Sequence, residues 1–152
     1  MKFNRSQFVD DMRALVKQGV MFRHLGKDPK TGLDCIHAPA WGVRKQGIVF
    51  PEEIDREMEA YSEQPDGWKM IDIMRRWFIE IPVLDNSVPE AEPGDLLILY
   101  ARRNPRHMAI KVAEDLIVEA YRSEDQKIGE LLEHPLDPRR RIAACFRIPD
   151  FA

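Results

Sequence analysis

The sequence predicts an α+β domain on three observations. Apolar residues in the first half recur at helical spacing. Those in the last third fall into short runs broken by turn signals. A proline-bearing stretch, IPVLDNSVPEAEPGD at 81–95, divides the two textures. Helices first and strands later describe helices packed on one side of an antiparallel sheet. With 152 residues, 44% of them apolar and 32% charged, the chain suits one domain, 1–152, with enough buried surface to fold without staples.

Phe8, Met12, Leu15 and Val16 recur at i, i+4, i+7 and i+8. With Ser6 ahead of them as an N-cap and Gly19 behind as a stop, they predict a helix over 6–18. GKDPKTGLD at 26–34 joins two glycines, a proline and two aspartates and is expected to be a loop. Cys35 then opens CIHAPAWGV, a short helix starting at about Asp34, with Asp34 as its cap and Pro39 tolerated in the first turn. Pro51, Glu52 and Glu53 start a charged helix running through about Tyr61. Met70, Ile73, Met74 and Trp77 mark another. Four strands follow, DLLILYA, HMAIKVA, DLIVEAY and RIAACFRIP.

Charge and cysteine usage exclude several classes. The net charge of -3 spreads over 23 basic and 26 acidic residues, so no basic field draws the chain to nucleic acid or an anionic membrane. The first residues are broken by Arg5, Asp10, Asp11 and Arg13, which is unlike a secretory signal, and the expectation is synthesis in the cytoplasm. Two cysteines, Cys35 and Cys145, fit a reduced compartment and give neither a disulfide framework nor metal spacing. No metal and no cofactor are expected.

The candidate chemistry centres on Cys35. A thiol attacks as thiolate, and a helix N-terminus or a neighbouring imidazolium favours that form. His107, the first residue of HMAIKVA, is delivered at a strand edge by the loop RRNPR. Glu119 follows twelve residues later, across a turn at Glu114 and Asp115. Adjacent antiparallel strands bring such positions together, so Glu119 can accept the second ring N–H of His107. Cys35, His107 and Glu119 then form a triad in which the carboxylate orients the imidazole and the imidazole takes the thiol proton.

The remaining candidates have plainer readings. His24 lies in the loop approach, and His37 points roughly 200° round the helix from Cys35. His134 precedes Pro135 and is read as a surface loop residue. Arg139, Arg140 and Arg141 follow Pro138 and are read as a solvated turn. Cys145, within AACFRI, is read as core.

GLDC preceded by FRHLGKDPKT, EPGD before an apolar strand, HMAI, and VEA twelve residues beyond the histidine together resemble the NlpC-type peptidases of the papain-like fold. The stand-alone form found with bacteriophage tails and prophages is the most similar. The resemblance runs from about Phe22 to the final FRIPD. It implies a cysteine peptidase acting on the stem peptides of bacterial cell wall (peptidoglycan), typically at the γ-D-glutamyl-diaminopimelate bond. Phage tail proteins are implied as partners, and the enzyme would reach the wall in a particle or after lysis.

On that pattern Cys35 attacks the carbonyl, His107 serves as base and then acid, and Glu119 fills a third position that is usually His in the family. A carboxylate there is expected to favour imidazolium more strongly. The backbone N–H of Cys35 is the expected first oxyanion donor.

Three positions depart from the pattern. Arg23 stands where many members carry a Tyr that helps bind the reacting carbonyl, and it becomes the candidate to read a stem-peptide carboxylate through its fork of donors. Ile36 and His37 replace the usual Ser-Gly or Val-Gly. These departures keep two rivals open: a non-catalytic structural or tail-assembly module on the same fold, and a thiol amidase or acyltransferase with another substrate.

Overall fold

The structure is a computed structural model that describes residues 2–59, 61, 66–121 and 129–151. Helix α1 spans Arg5–Lys17 and buries Phe8, Val9, Met12 and Leu15 along one face. Its cap is Asn4, whose side chain accepts from the Gln7 N–H at 2.9 Å. Ser6, the expected cap, therefore lies inside the first turn. Gly19 ends the helix with φ 68°, a left-handed conformation that suits glycine.

The expected loop at 26–34 carries a small antiparallel ladder, β1 (Lys27–Asp28) against β2 (Gly32–Leu33). Helix α2 spans His37–Lys45, α3 spans Glu52–Glu59 and α4 spans Gly67–Trp77. Ala60, which the expected helix through Tyr61 included, lies outside the described residues. Asp66 caps α4 by accepting from the N–H groups of Trp68 and Lys69.

Six antiparallel strands form the main sheet: β3 (Ile79–Ile81), β4 (Leu96–Ala101), β5 (Asn104–Ala113), β6 (Leu116–Tyr121), β7 (Glu130–Pro135) and β8 (Ile142–Arg147). Their order is β3-β8-β4-β5-β6-β7. Four of these were expected, while β3 and β7 are additions at the two edges.

The sheet is buried on both faces. Met108, Ile110, Val118, Leu131 and Phe146 pack with the helices, against Phe8, Met12, Leu15, Val43 and Met74. On the reverse, Leu97, Leu99, Ala109, Ile117 and Cys145 meet Val83, Val88 and Ala91 from the proline-bearing stretch. That second covering explains why LLIL of β4 is apolar throughout instead of alternating. The fold is thus α+β, with the helices on one face as expected and an irregular strap on the other. Among the described residues no helix is long and apolar enough to cross a membrane.

Two close approaches position the functional segments. Gly32, at φ 125°, has room for no Cβ, since one would sit 2.7 Å from the Arg23 Cβ and 3.0 Å from the Met21 carbonyl. The Gly32-Leu33 backbone is thereby pressed onto 21–23, which itself runs beside β7 through Phe22 N–H to Gly129 O and Leu131 N–H to Val20 O, each 2.9 Å. Gly67 begins α4 with its α-carbon against the Pro105 carbonyl, where a Cβ would fall 1.2 Å from the oxygen. That contact fixes β5 two residues before His107.

Candidate active site

Asp34 is the hinge of the Cys35 segment. Its Oδ1 accepts from the backbone N–H of Ile36 at 3.0 Å and of His37 at 2.7 Å, and its Oδ2 accepts from Leu25 N–H at 2.9 Å. The expected cap is therefore real, and it also ties the 23–26 turn, with Leu25 at φ 57°, to the start of α2. Tyr61 adds a hydroxyl donor to Oδ2, and the ring Nδ1 of His37 lies 2.8 Å from that hydroxyl and 3.1 Å from Oδ1. Burial works against the Asp34 carboxylate, but the hydrogen bonds from His37 and Tyr61 outweigh it and hold its pKa below the usual range.

Cys35 and Ile36 occupy the turn into α2, ahead of His37–Lys45. Cys35 is partly exposed. Asp34 takes the N–H groups of Ile36 and His37, and among the described residues the Cys35 N–H has no partner. Helix α2 therefore presents an open donor at the sulfur-bearing residue, where a carbonyl oxygen acquiring charge can be received.

His107 and Glu119 come from neighbouring strands. The β5–β6 register pairs Ile110 with Val118 and Lys111 with Ile117. Continued, it sets Ala109 opposite Glu119, with His107 diagonal to it on the same face. The two side chains meet, His107 Nε2 lying 2.5 Å from Glu119 Oε1. Cys35 also lies near enough to His107 to raise the pKa of its ring, and with Nε2 engaged by Glu119 the nitrogen left for the sulfur is Nδ1.

Burial opposes a charged imidazole here. The hydrogen bonds to Cys35 and Glu119, with their negative charges, outweigh it and raise the His107 pKa to about 9. Its side chain is 17% exposed, so the pair opens to solvent.

Glu119 is 1% exposed and more heavily engaged than the sequence implied. Arg140 forks onto it, Nη1 to Oε2 at 2.6 Å and Nη2 to Oε1 at 3.0 Å, and His134 Nε2 lies 2.7 Å from Oε2. Burial pushes this carboxyl up, but the hydrogen bonds and charges of His107 and Arg140 prevail and bring it down to about 2. The Arg140 guanidinium also offsets the carboxylate's charge, so Glu119 reaches His107 as one half of an ion pair and not as a bare anion.

Two readings of the sequence are corrected here. His134 is not a loop residue but sits in β7, opposite Ile117 in the β6–β7 register, with its side chain 40% exposed. Of the basic run, Arg139 and Arg141 are exposed as expected, Arg139 at 89% and paired with Asp137. Arg140 enters the site, and Arg141 stacks on Tyr100 at 4.4 Å.

The other candidates are engaged differently. His37 is 1% exposed and bonded to Asp34 and Tyr61. Arg23 is exposed, and its backbone N–H pairs with Leu33 O at 3.2 Å. Cys145 is fully buried, its thiol pushed up to about 12 chiefly by that burial. Tyr61 went unnoticed in the sequence, yet it lies near enough to Cys35 for the sulfur's charge, after burial and Asp34, to raise its phenol pKa. Among the described residues no group of three or more His, Cys, Asp or Glu is arranged to hold a metal.

No protein-family model matches this chain, and no curated protein matches it either. The reading of function accordingly stands on the site.

Proposed function

We propose that this chain is a papain-like cysteine hydrolase of the NlpC type in which Cys35, His107 and Glu119 cleave an amide bond. The observation that carries this reading is the imidazole of His107, 2.5 Å from a buried carboxylate, with Glu119 and Cys35 raising its pKa to about 9. A thiol beside such an imidazole passes its proton to the ring and attacks as thiolate.

The chemistry then runs in balance. The Cys35 sulfur bonds to the carbonyl carbon, and the oxygen takes up charge facing the Cys35 N–H. His107 gives its proton to the amine nitrogen as the C–N bond breaks. Water, deprotonated by His107, attacks the thioester, the C–S bond breaks, and the thiol is restored. Glu119, clamped by Arg140, keeps the ring oriented throughout.

The substrate in the first reading is a cell-wall stem peptide, cut at the γ-D-glutamyl-diaminopimelate bond, with phage tail proteins delivering the enzyme and exposed Arg23 reading a substrate carboxylate. A second reading keeps the thiol chemistry and changes the acyl group. It is favoured by one specific feature, a small, mostly apolar pocket between α2, α3, α4 and the sheet, lined in part by Ile36, the chain neighbour of Cys35.

The test is the rate of Cys35 alkylation against pH, with the labelled peptide identified by mass, in the unmodified protein and in His107→Ala. Fast labelling that persists well below pH 8 and collapses in the variant is expected. Slow labelling indifferent to His107→Ala would overturn the catalytic reading and leave a structural tail-assembly module. Product masses from a stem peptide then separate the two substrates.

A further inference from the structure

The reverse face of the sheet carries a cleft of its own. It runs between the strap and the 135–140 turn, with Leu97, Ile117 and Ile142 among its apolar lining, and encloses about 470 Å³, within the usual range for ligand pockets. Both walls are fixed by hydrogen bonds. Asp85 and Asn86, at φ 52° and 57°, form a tight turn closed by two hydrogen bonds between Leu84 and Ser87. The Asn86 side chain then clamps the opposite wall, accepting from Ile142 N–H at 2.8 Å and donating to Arg140 O at 3.0 Å. At the other end, Leu136 N–H donates to Asp115 O at 3.3 Å. The cleft is preformed, so a guest does not have to order its walls.

Its charges are segregated. Arg140 lines one end, its side chain 25% exposed. Two of its five N–H groups are engaged by Glu119, and the other three take no partner among the described residues. Glu114 and Asp115 line the other end, at the β5–β6 turn, and their carboxylates make no ion pair among the described residues. Four residues of extended chain, roughly 13 Å, separate Asp115 from Glu119, which Arg140 holds. Lys111, opposite Ile117 in the register, lies between the two ends, and Asp137 is engaged by Arg139 through both of its oxygens. A plain hydrocarbon would leave the Arg140 donors unmet, and a dianion would meet Glu114 and Asp115. The match is a molecule with an apolar body and opposite charges at its two ends.

We infer that this cleft is a second ligand site, for a short peptide with free termini, whose carboxylate meets the spare N–H groups of Arg140 and whose ammonium meets Glu114 and Asp115. Occupancy is felt at His107. A carboxylate at Arg140 shares the guanidinium with Glu119 and adds negative charge behind it, so Glu119 holds the imidazolium more firmly. That link, unlike the binding itself, rests on the thiol reading proposed above.

The probe is the tripeptide Ala-Leu-Ala, titrated into the unmodified protein and followed by amide NMR. Saturable shifts are expected for Ser87, Leu97 and Ile142 and for the Arg140 Nε–H, with the signals of α1 unmoved. The C-terminal amide of the peptide should bind about tenfold more weakly or worse, because a charge-assisted pair is lost. The N-acetyl form should bind about threefold more weakly, the ammonium end being exposed. In Glu114→Gln/Asp115→Asn, two exposed positions, the second difference should vanish while the first persists. Saturating tripeptide should also speed Cys35 alkylation at about pH 5.5 by about threefold.

No saturable shift at millimolar peptide, or equal affinity of the acid and its amide, would overturn the site. Shifts confined to Ile36 and His37 would place the peptide beside Cys35 and overturn the location. Shifts at the cleft with an unchanged labelling rate, where His107→Ala still collapses that labelling, would overturn the link to His107. Slow labelling indifferent to His107→Ala would remove the thiol reading and the link together, and the binding site would stand or fall on the NMR shifts.

Discussion

Asp34 and Glu119 are both carboxylates buried to within a few per cent, one beside Cys35 and the other beside His107, yet they are held by different donors. Asp34 is gripped mainly by backbone N–H groups, a phenol and a histidine ring. Glu119 is gripped by side chains alone, a guanidinium fork and two imidazoles. The first arrangement fixes a chain path and the second fixes a ring and its charge. Loss of Asp34 should therefore be felt as stability, and loss of Glu119 as chemistry.

The largest effect is expected for Asp34→Ala, which strands two backbone donors at the start of α2 and a third, Leu25 N–H, in the 23–26 turn. It should cost about 3 kcal/mol in urea unfolding, while Asp34→Asn, which keeps an acceptor, should lose less than half of that. Equal losses in the two variants would contradict the backbone role.

Glu119→Gln should cost about 2 kcal/mol, because it leaves Arg140 without its counter-ion. Its sharper signature lies in reactivity. Without the carboxylate the imidazolium is less favoured, so the alkylation profile of Cys35 should move to higher pH and the rate at pH 6 should fall about tenfold or more. An unmoved profile would show that Glu119 does not act through His107.

The pH dependence of stability separates the two carboxylates again. Raised from 6.5 to about 9, His107 contributes stability that is complete below about pH 6.5 and lost as pH climbs through 9. Lowered from 4.5 to about 2, Glu119 contributes stability present above about pH 4.5 and lost as pH falls through 2. Unfolding free energy should therefore plateau between about 4.5 and 6.5. In Glu119→Gln the acid decline should shrink, and the alkaline decline, still beginning near pH 6.5, should be smaller and end at lower pH.

The smallest effect is expected for His134→Asn, under about 0.5 kcal/mol in urea unfolding. Its ring is 40% exposed, and Arg140 continues to hold the carboxylate.

The three candidates for the proposed thiol site are each announced locally, and the contact between two of them, His107 and Glu119, was legible for that reason. Cys35 follows a glycine and a capping aspartate, and His107 and Glu119 sit on strands joined by a tight turn, so their spacing implies a meeting. Arg140 carries no such mark. It reaches Glu119 from a loop 21 residues away, and a basic run after a proline looks the same whether or not one member turns inward. His134 misled for a related reason: proline after it suggests a loop, but Pro135 ends an edge strand, where a missing N–H breaks no central ladder. Strand β3, three residues between Phe78 and Pro82, is too short for its alternation to register. The pocket between α2, α3, α4 and the sheet could not be read at all, since Val43, Met74 and Met108 look like any core residues until the volume between them is seen.

Cys145 lies beneath the strap of residues 83–91, at 0% exposure, its thiol pushed up to about 12 by burial. The folded molecule thus shows one of its two thiols to a reagent and withholds the other until the sheet parts. The slow arrival of a second label, read from intact mass in plain buffer, therefore clocks how often this core opens. In Cys145 the chain carries its own gauge of folding.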